Sequence, residues 1–354
     1  MSYQSYSLHQ LGWRTTLAHD LTLDDFESAY PARITAVHRD GVAVLSSRGH
    51  GHAVVPHGLH ADVGAFAVGD WVMVEQSADR VFRRIQRQSL LARVAAGETH
   101  AHQPIAANVD TLFIVTSCNG DFNPSRLERY VSLAMQAGVT PVMVLTKADM
   151  ADDVAAFVDS ARAIMPGIEV RAINALDPGS LHVLLPWMVE GCTVAFVGSS
   201  GVGKSTLTNL LTGDVTQHTA GIREDDARGR HTTTAREMFP TSHGAWVIDT
   251  PGMRELRLGA ADEGVAAVFV DIEALAEQCR FGDCGHDGDA GCAIERALAE
   301  GVLDARRLAN YRKLQRELAG SRRSEREKRE HGRQFNAMAK RAMQDKRERL
   351  GRSR

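Results

Sequence analysis

The sequence predicts a multidomain chain: an N-terminal all-β unit, a central α/β unit built on a parallel sheet, and a mainly helical C-terminal unit. Three observations carry this. Short β-branched runs broken by turn signals fill the stretch from Arg33 to Val74. From Asn108 onward, apolar strands alternate with helix-length segments. Beyond Val265 the apolar spacing turns helical around a cluster of cysteines and a histidine. The 354 residues suit two or three domains, and a hydrophobic content of 44% can fill their cores.

Taken in order, residues 1–30 are weakly patterned and are expected to form a partly ordered arm. Strands are expected at Arg33–Val37, Val42–Leu45, His52–Val55 and Trp71–Val74, with turns at Asp40-Gly41 and Gly69-Asp70. Strands this short, with no helix between them, predict a small barrel over residues 31–100, and a five-stranded OB-like barrel fits best. On the residues alone such a barrel either binds oligonucleotide or packs against its neighbour.

The central unit, residues 101–258, should run strand Thr111–Val115, helix Pro124–Gln136, strand Val142–Leu145, helix Asp152–Met165, strand Ile168–Ala172 and helix Ser180–Val189. Continuous apolar strands of this kind are covered by helices on both faces. A further strand, Cys192–Val197, leads into a glycine loop and a helix stopped by Gly213. Next comes a polar stretch, Asp214 to Arg236, long enough to be a functional loop, and then strands at Glu237–Phe239 and Ala245–Ile248. Residues 259–320 should hold the cysteine cluster and helices at Ala293–Glu300 and Asp304–Ala319. Residues 321–354 form a basic tail, read either as a solvated helix or as a binding segment.

Charge is uneven. Net charge is −3, yet Arg306 to Arg354 carries 18 basic and 6 acidic residues, leaving 23 basic and 38 acidic for the rest. An acidic body with a basic tail suggests a polyanionic partner for the tail. No apolar run approaches the roughly 20 residues of a membrane span. Met1 to Asp20 has no basic region leading into an apolar one, so the cytoplasm is expected, with no membrane partner. Five cysteines, three of them between 279 and 292, suit a metal site in a reducing compartment better than a disulfide framework.

The loop Gly198-Ser199-Ser200-Gly201-Val202-Gly203-Lys204-Ser205 fits G-x-x-x-x-G-K-[ST] between a strand and a helix, the context a phosphate loop requires. Its backbone N–H groups and the helix start at Thr206 would cradle the anion. Lys204 would reach the β- and γ-phosphates, and the Ser205 hydroxyl would hold Mg²⁺. Asp249-Thr250-Pro251-Gly252 has the D-x-x-G form at a strand's end, where Asp249 can orient Mg²⁺ and Gly252 can sense the γ-phosphate.

Thr146-Lys147-Ala148-Asp149 resembles the N-K-x-D element of GTPases. Asp149 would accept from guanine N1–H and the 2-amino group, which adenine lacks, with the Lys147 stem along the base. Thr146 replaces the usual asparagine; it loses an amide hydrogen bond to the phosphate loop but keeps a hydroxyl. Asn174-Ala175-Leu176 sits where GTPases carry an S-A-x loop. The base-reading elements precede the phosphate loop, the reverse of the Ras-like order, as in a circularly permuted sheet. The permutation sends the loop after Asp249 straight into the C-terminal unit, so a nucleotide-driven movement could pass there.

Cys279-x4-Cys284-x-His286-x5-Cys292 offers three thiolates and an imidazole, a closed tetrahedral set that suits structural Zn²⁺. Cys118 and Cys192 read as inert core residues.

Together with Gly229-Arg230-His231-Thr232-Thr233-Thr234, Ala106–Asp110, Arg126–Tyr130 and Asn310–Leu314, these features resemble the ribosome small-subunit-dependent GTPase A family over about Arg33 to Gly320. The resemblance implies a zinc-containing, circularly permuted GTPase that binds GTP and GDP. It would act in late maturation of the 30S ribosomal subunit, contact 16S rRNA as a monomer, and be stimulated by that subunit. Met253 stands where Ras-like enzymes place a water-orienting glutamine. By resemblance the catalytic candidate is His231, with Thr232 or Thr233 closing on Mg²⁺. Asp289-Ala290 stands where the family often has Glu-Pro. Two other readings stay open at this point: a P-loop NTPase serving a non-ribosomal protein partner, and an rRNA-binding protein with GTP as a structural ligand.

Overall fold

A computed structural model describes residues 5–19, 21–56, 58–59, 65–94, 102–213, 237–249, 263–320 and 322. Five N-terminal strands are present: β1 (Ala29–Val37), β2 (Val42–Ser46), β3 (Gly49–Ala53), β4 (Trp71–Glu75) and β5 (Val81–Arg84). β1 pairs antiparallel with β2 and with β4, β2 with β3, and β4 with β5. A parallel bridge between Val54 and Arg80 returns the pairing from β3 to β5. Strand alternation puts Ala32, Ile34, Val42, Val44, Val72 and Val74 into one small core. The opposite face of β4 sends Trp71 and Met73 into the larger core of the molecule.

β5, with its exposed Phe82 and half-exposed arginines, has little alternation to betray it, and β3 begins at Gly49 rather than His52 because Gly49 and His50 complete the ladder with Ser46 and Leu45. β6 (Leu90–Val94) and β7 (His102–Ala107) pair antiparallel, one on each side of the boundary expected at residue 100.

The central strands are β8 (Thr111–Ser117), β9 (Thr140–Thr146), β10 (Glu169–Ala172), β11 (Thr193–Gly198), β12 (Glu237–Pro240) and β13 (Trp246–Asp249). They lie in the order β10-β9-β8-β11-β13-β12, all parallel except β12. A single pair, Ala36 with Glu237, joins β12 to β1. Both faces are covered: Leu112 and Ile114 of β8 point into one core, Phe113 and Val115 into another.

The arm is more ordered than its sequence suggests. Leu11 and Leu17 are buried, Trp13 packs edge-on against Trp71, and Tyr6 packs edge-on against Trp246. Gly12 has φ +87°, and a Cβ there would stand 2.4 Å from the Gly191 carbonyl, so arm and sheet touch backbone to backbone. Arg33 of β1, almost wholly buried, donates to Leu11 O and to Thr193 Oγ1 at 2.7 Å each. Desolvation pushes this guanidinium down to about 10, still charged at neutral pH. It ties arm, N-terminal strands and the phosphate-loop strand β11 together.

Helix α1 (Leu23–Ser28) opens on a Thr22–Asp25 capping box. Helix α2 (Pro124–Gln136) forms over the residues its pattern predicts, capped by Asn123 with Pro124 in its first turn, and it buries Leu127, Tyr130, Val131 and Ala134. Helix α3 (Val154–Arg162) is shorter than expected at both ends, starting after its Asp153 cap and closing at Ala163. The helix expected at Ser180–Val189 is instead a 3-10 segment, Pro178–Trp187, with Pro186 inside it. Helix α4 (Lys204–Thr212) ends at Gly213.

In the C-terminal part, α5 (Glu263–Val268) packs against α2, α6 (Val270–Ala276) packs against α5 and α7 (Ala293–Ala299), and α8 (305–320) reaches α2 through side chains. Glu128 of α2 is fully buried there. Its carboxylate accepts from Arg306 at 3.0 Å, Arg307 at 3.1 Å and Asn310 at 2.5 Å, all on α8. The basic tail from residue 323 lies outside the described residues. No helix among the described residues is long and apolar enough to cross a membrane.

Candidate functional site

Parallel strands deliver their following loops to one edge of a sheet, where open α/β folds bind ligands. Here β9 ends in Thr146, β10 leads to Asn174, β11 ends in Gly198 and β13 ends in Asp249. The predicted site residues therefore gather at one edge of the sheet, on two strand ends to either side of β8.

Gly198 sits on β11 opposite Val115 of β8, with φ +149°. A Cβ there would stand 2.1 Å from the Val115 carbonyl, so only glycine lets the loop leave the strand. Val202 is buried, while Ser200, Gly201 and Ser205 are exposed and Ser199, Gly203, Lys204 and Thr206 half-buried. Lys204 opens α4 and folds back so that Nζ donates to Gly198 O at 2.9 Å and to Ser199 O. The ammonium is thus held on two carbonyls at a helix start.

The guanine-type loop abuts the phosphate loop directly. Thr146 is fully buried, and its Oγ1 lies 2.7 Å from the Val202 carbonyl and 3.2 Å from the Thr116 carbonyl, donating along the shorter contact. The hydroxyl thus makes the tie that an asparagine amide would otherwise supply. Thr146 and Ala175 side chains also flank Gly203, whose built Cβ would be 3.6 and 3.7 Å from them. Lys147 takes a left-handed turn, φ +58°, and Ala148–Met150 wind into a 3-10 turn that leaves Asp149 exposed. Asn174 Oδ1 accepts from Leu176 N at 2.9 Å, shaping its own loop. Its carbonyl accepts from Ser180 Oγ at 2.5 Å.

Asp249 is the last residue of β13, paired in register with Glu237. Gly252, His231, Thr232 and Thr233 lie outside the described residues, as does the whole polar loop from Asp214 to Arg236.

The Cys/His set comes together in the C-terminal part. The four ligand atoms of Cys279, Cys284, His286 and Cys292 all lie within 4.8 Å of one another. His286 Nδ1 is 3.5 Å from Cys279 Sγ and 3.6 Å from Cys292 Sγ. Tetrahedral zinc, with bonds of about 2.3 Å to sulfur and about 2.0 Å to nitrogen, sets such edges near 3.5 Å. The donors therefore fit the ion in both type and spacing. Burial opposes ionisation of Cys279, but the Ala293 and Ile294 N–H groups and the neighbouring thiols hold it below its ordinary value. Cys284 is pushed up to about 12 by desolvation and by Cys292 and Cys279 beside it. Thiolates gathered this closely need a cation among them. Cys118 is buried, whereas Cys192 lies just before β11 and is half-buried.

One neighbour of the phosphate loop comes from the Arg126–Tyr130 stretch, to which sequence reasoning assigned no role. Arg126, in the first turn of α2, donates Nη1 to Ser199 Oγ and Nη2 to Asp121 O at 3.0 Å. Only the parallel pairing of β8 with β11 brings these distant residues together.

The RsgA GTPase family model matches residues 84–259 of this chain. The small ribosomal subunit biogenesis GTPase RsgA 2 of Vibrio vulnificus (strain CMCP6) is 48% identical over 345 residues, spanning 98% of this chain and 97% of that protein. The small ribosomal subunit biogenesis GTPase RsgA of Mesorhizobium japonicum is 48% identical over 314 residues, 88% of this chain and 89% of that one. In fold, the chain is similar to the crystal structure of YjeQ from Thermotoga maritima, with TM-score 0.60 and 22% identity over 82% of this chain and 99% of that one. It is also similar to YloQ, a circularly permuted GTPase, with TM-score 0.58 and 23% identity over 82% and 95% of the two chains. A phosphate loop meeting a guanine-type loop, in permuted order and followed by a four-donor metal cluster, agrees with these likenesses: the chain belongs to the RsgA GTPase family.

Proposed function

We propose that this chain is a GTP hydrolase that binds the 30S ribosomal subunit during its late maturation and is stimulated by it. The observation that carries the nucleotide half is the contact between Thr146 Oγ1 and Val202 O at 2.7 Å, which fixes the guanine-type loop to the phosphate loop. The ribosomal half rests on the relatives, which are named small ribosomal subunit biogenesis GTPases.

In this reading Gly198 to Thr206 cradle the phosphates, with Lys204 on the β- and γ-oxygens. Ser205 and Asp249, with Thr232 or Thr233, hold the Mg²⁺ that neutralises phosphate charge. Gly252 senses the γ-phosphate. Lys147 and Asp149 read guanine, and the Ala148, Asn174 and Ala175 segments complete its pocket. His231 orients the attacking water, because Met253 cannot. Cys279, Cys284, His286 and Cys292 hold one structural Zn²⁺.

The ring of pairings β1–β2–β3–β5–β4–β1 supports reading residues 31–100 as an OB-like barrel. We take 1–30 as the arm, 101–258 as the GTPase domain, 259–320 as the zinc domain and 321–354 as the tail. Barrel, zinc domain and tail would meet 16S rRNA, the tail through phosphate contacts that weaken with salt. The protein would work as a cytoplasmic monomer.

Competition binding tests the base assignment: GTP should displace labelled GDP and ATP should not. Asp149→Asn should shift preference toward xanthosine triphosphate. Equal displacement by ATP would overturn the guanine reading.

A further inference from the structure

Among the described residues, three other arginines at the contact between α2 and the C-terminal helices meet carboxylates. Arg129 meets Glu317 at 2.6 Å, Arg306 and Arg307 meet Glu128, and Arg307 also meets Asp271 at 2.7 Å. Arg126 has no carboxylate partner among the described residues. Its guanidinium, half-buried, is held by one hydroxyl, Ser199 Oγ, and one carbonyl, Asp121 O. A cation withdrawn partly from water and left without an acid calls for an anion. The one built nearby is the phosphate site.

Position says which phosphate. The loop has two ends: Gly203 lies against Thr146 and Ala175, the base side, while Ser199 lies at the far end against Arg126. Lys204 Nζ, the group that must reach the β- and γ-oxygens, touches that same Ser199 at its carbonyl. Arg126 therefore stands beside the end of the loop remote from the base.

We propose that Arg126 is a second phosphate-binding cation of the site, lent by α2 to the terminal phosphate of the bound triphosphate. The proposal rests on the GTP reading above. The guanidinium fork suits two oxygens of one phosphate, which a lysine ammonium matches only as a point charge. Little ordering is needed on binding, because Asn123 caps α2 and Glu128, two residues from Arg126, is clamped by Arg306, Arg307 and Asn310. Exchanging Ser199 Oγ for a phosphate oxygen keeps the fork satisfied while neutralising charge that only the triphosphate carries.

The test is titration of the full chain with fluorescent GDP and with a non-hydrolysable GTP analogue, both with Mg²⁺. Arg126→Ala should weaken the analogue by about tenfold or more and GDP by less than about threefold, the scale of one lost charge-assisted hydrogen bond. Arg126→Lys should recover part of the difference. Wild-type affinity for both nucleotides, or loss of both by the same factor, overturns the proposal, the latter assigning Arg126 to loop folding instead. If the unmodified chain binds neither guanine nucleotide, the GTP reading itself fails and takes this one with it.

Discussion

Replacing Thr146 by valine keeps the shape of the side chain and removes one hydroxyl. Thr146 is fully buried, and its Oγ1 reaches the carbonyl of Val202, itself only 1% exposed, at 2.7 Å. Without the hydroxyl, that carbonyl loses its side-chain donor inside the loop core. An unmade buried hydrogen bond costs about 1–3 kcal/mol, or roughly five- to 150-fold in an equilibrium constant. The tie lies on the base side and touches no phosphate, so GDP and GTP should weaken by the same factor. Calorimetric titration of both nucleotides reads this directly, with Thr146→Ser, which keeps the hydroxyl, expected to stay near wild type. Should Thr146→Val bind both nucleotides as the unmodified chain does, the claim that this hydroxyl replaces an asparagine amide is refuted. A loss confined to GTP would refute it equally.

Two further predictions concern the C-terminal part. Cys284→Ser, or prolonged chelation, should remove one zinc per chain and raise protease sensitivity within 263–320, because four ligands hold segments with little core of their own. Metal analysis finding no zinc in the purified, folded wild-type chain would contradict this. Glu128→Gln should lower stability by about 3 kcal/mol in chemical denaturation, since it strips the buried charge that faces Arg306 and Arg307. The exposure of Arg306, 40%, keeps the cost at the lower end of the range for broken buried pairs. An unchanged denaturation midpoint would show that α2 and α8 do not depend on this cluster.

Much of the site was legible because its chemistry is local in sequence. Gly198 to Ser205 and the Thr146–Asp149 turn are short motifs whose geometry follows from a strand entering a loop, and both form where their residues predict. The Cys279–Cys292 set is equally local, so spacing alone defined it. What escaped the sequence is long-range. Arg126 meets Ser199 across 73 positions and Arg33 meets Thr193 across 160, contacts fixed only once the strands have chosen neighbours. The arm escaped for a related reason. Leu11, Trp13 and Leu17 are spaced too irregularly to show a period, yet each finds a partner on a surface built from distant strands. The 3-10 segment at Pro178–Trp187 carries helical apolar spacing, but Pro186 removes the N–H that an α-helix would need.

The central claim is that nucleotide hydrolysis here serves the small ribosomal subunit. The most direct measurement is GTP turnover by the purified chain alone, with purified small subunits, and with purified large subunits. Slow turnover alone, a marked rise with small subunits and no rise with large ones is the predicted result. A chain that binds GTP yet hydrolyses it at the same rate with and without small subunits would contradict the account.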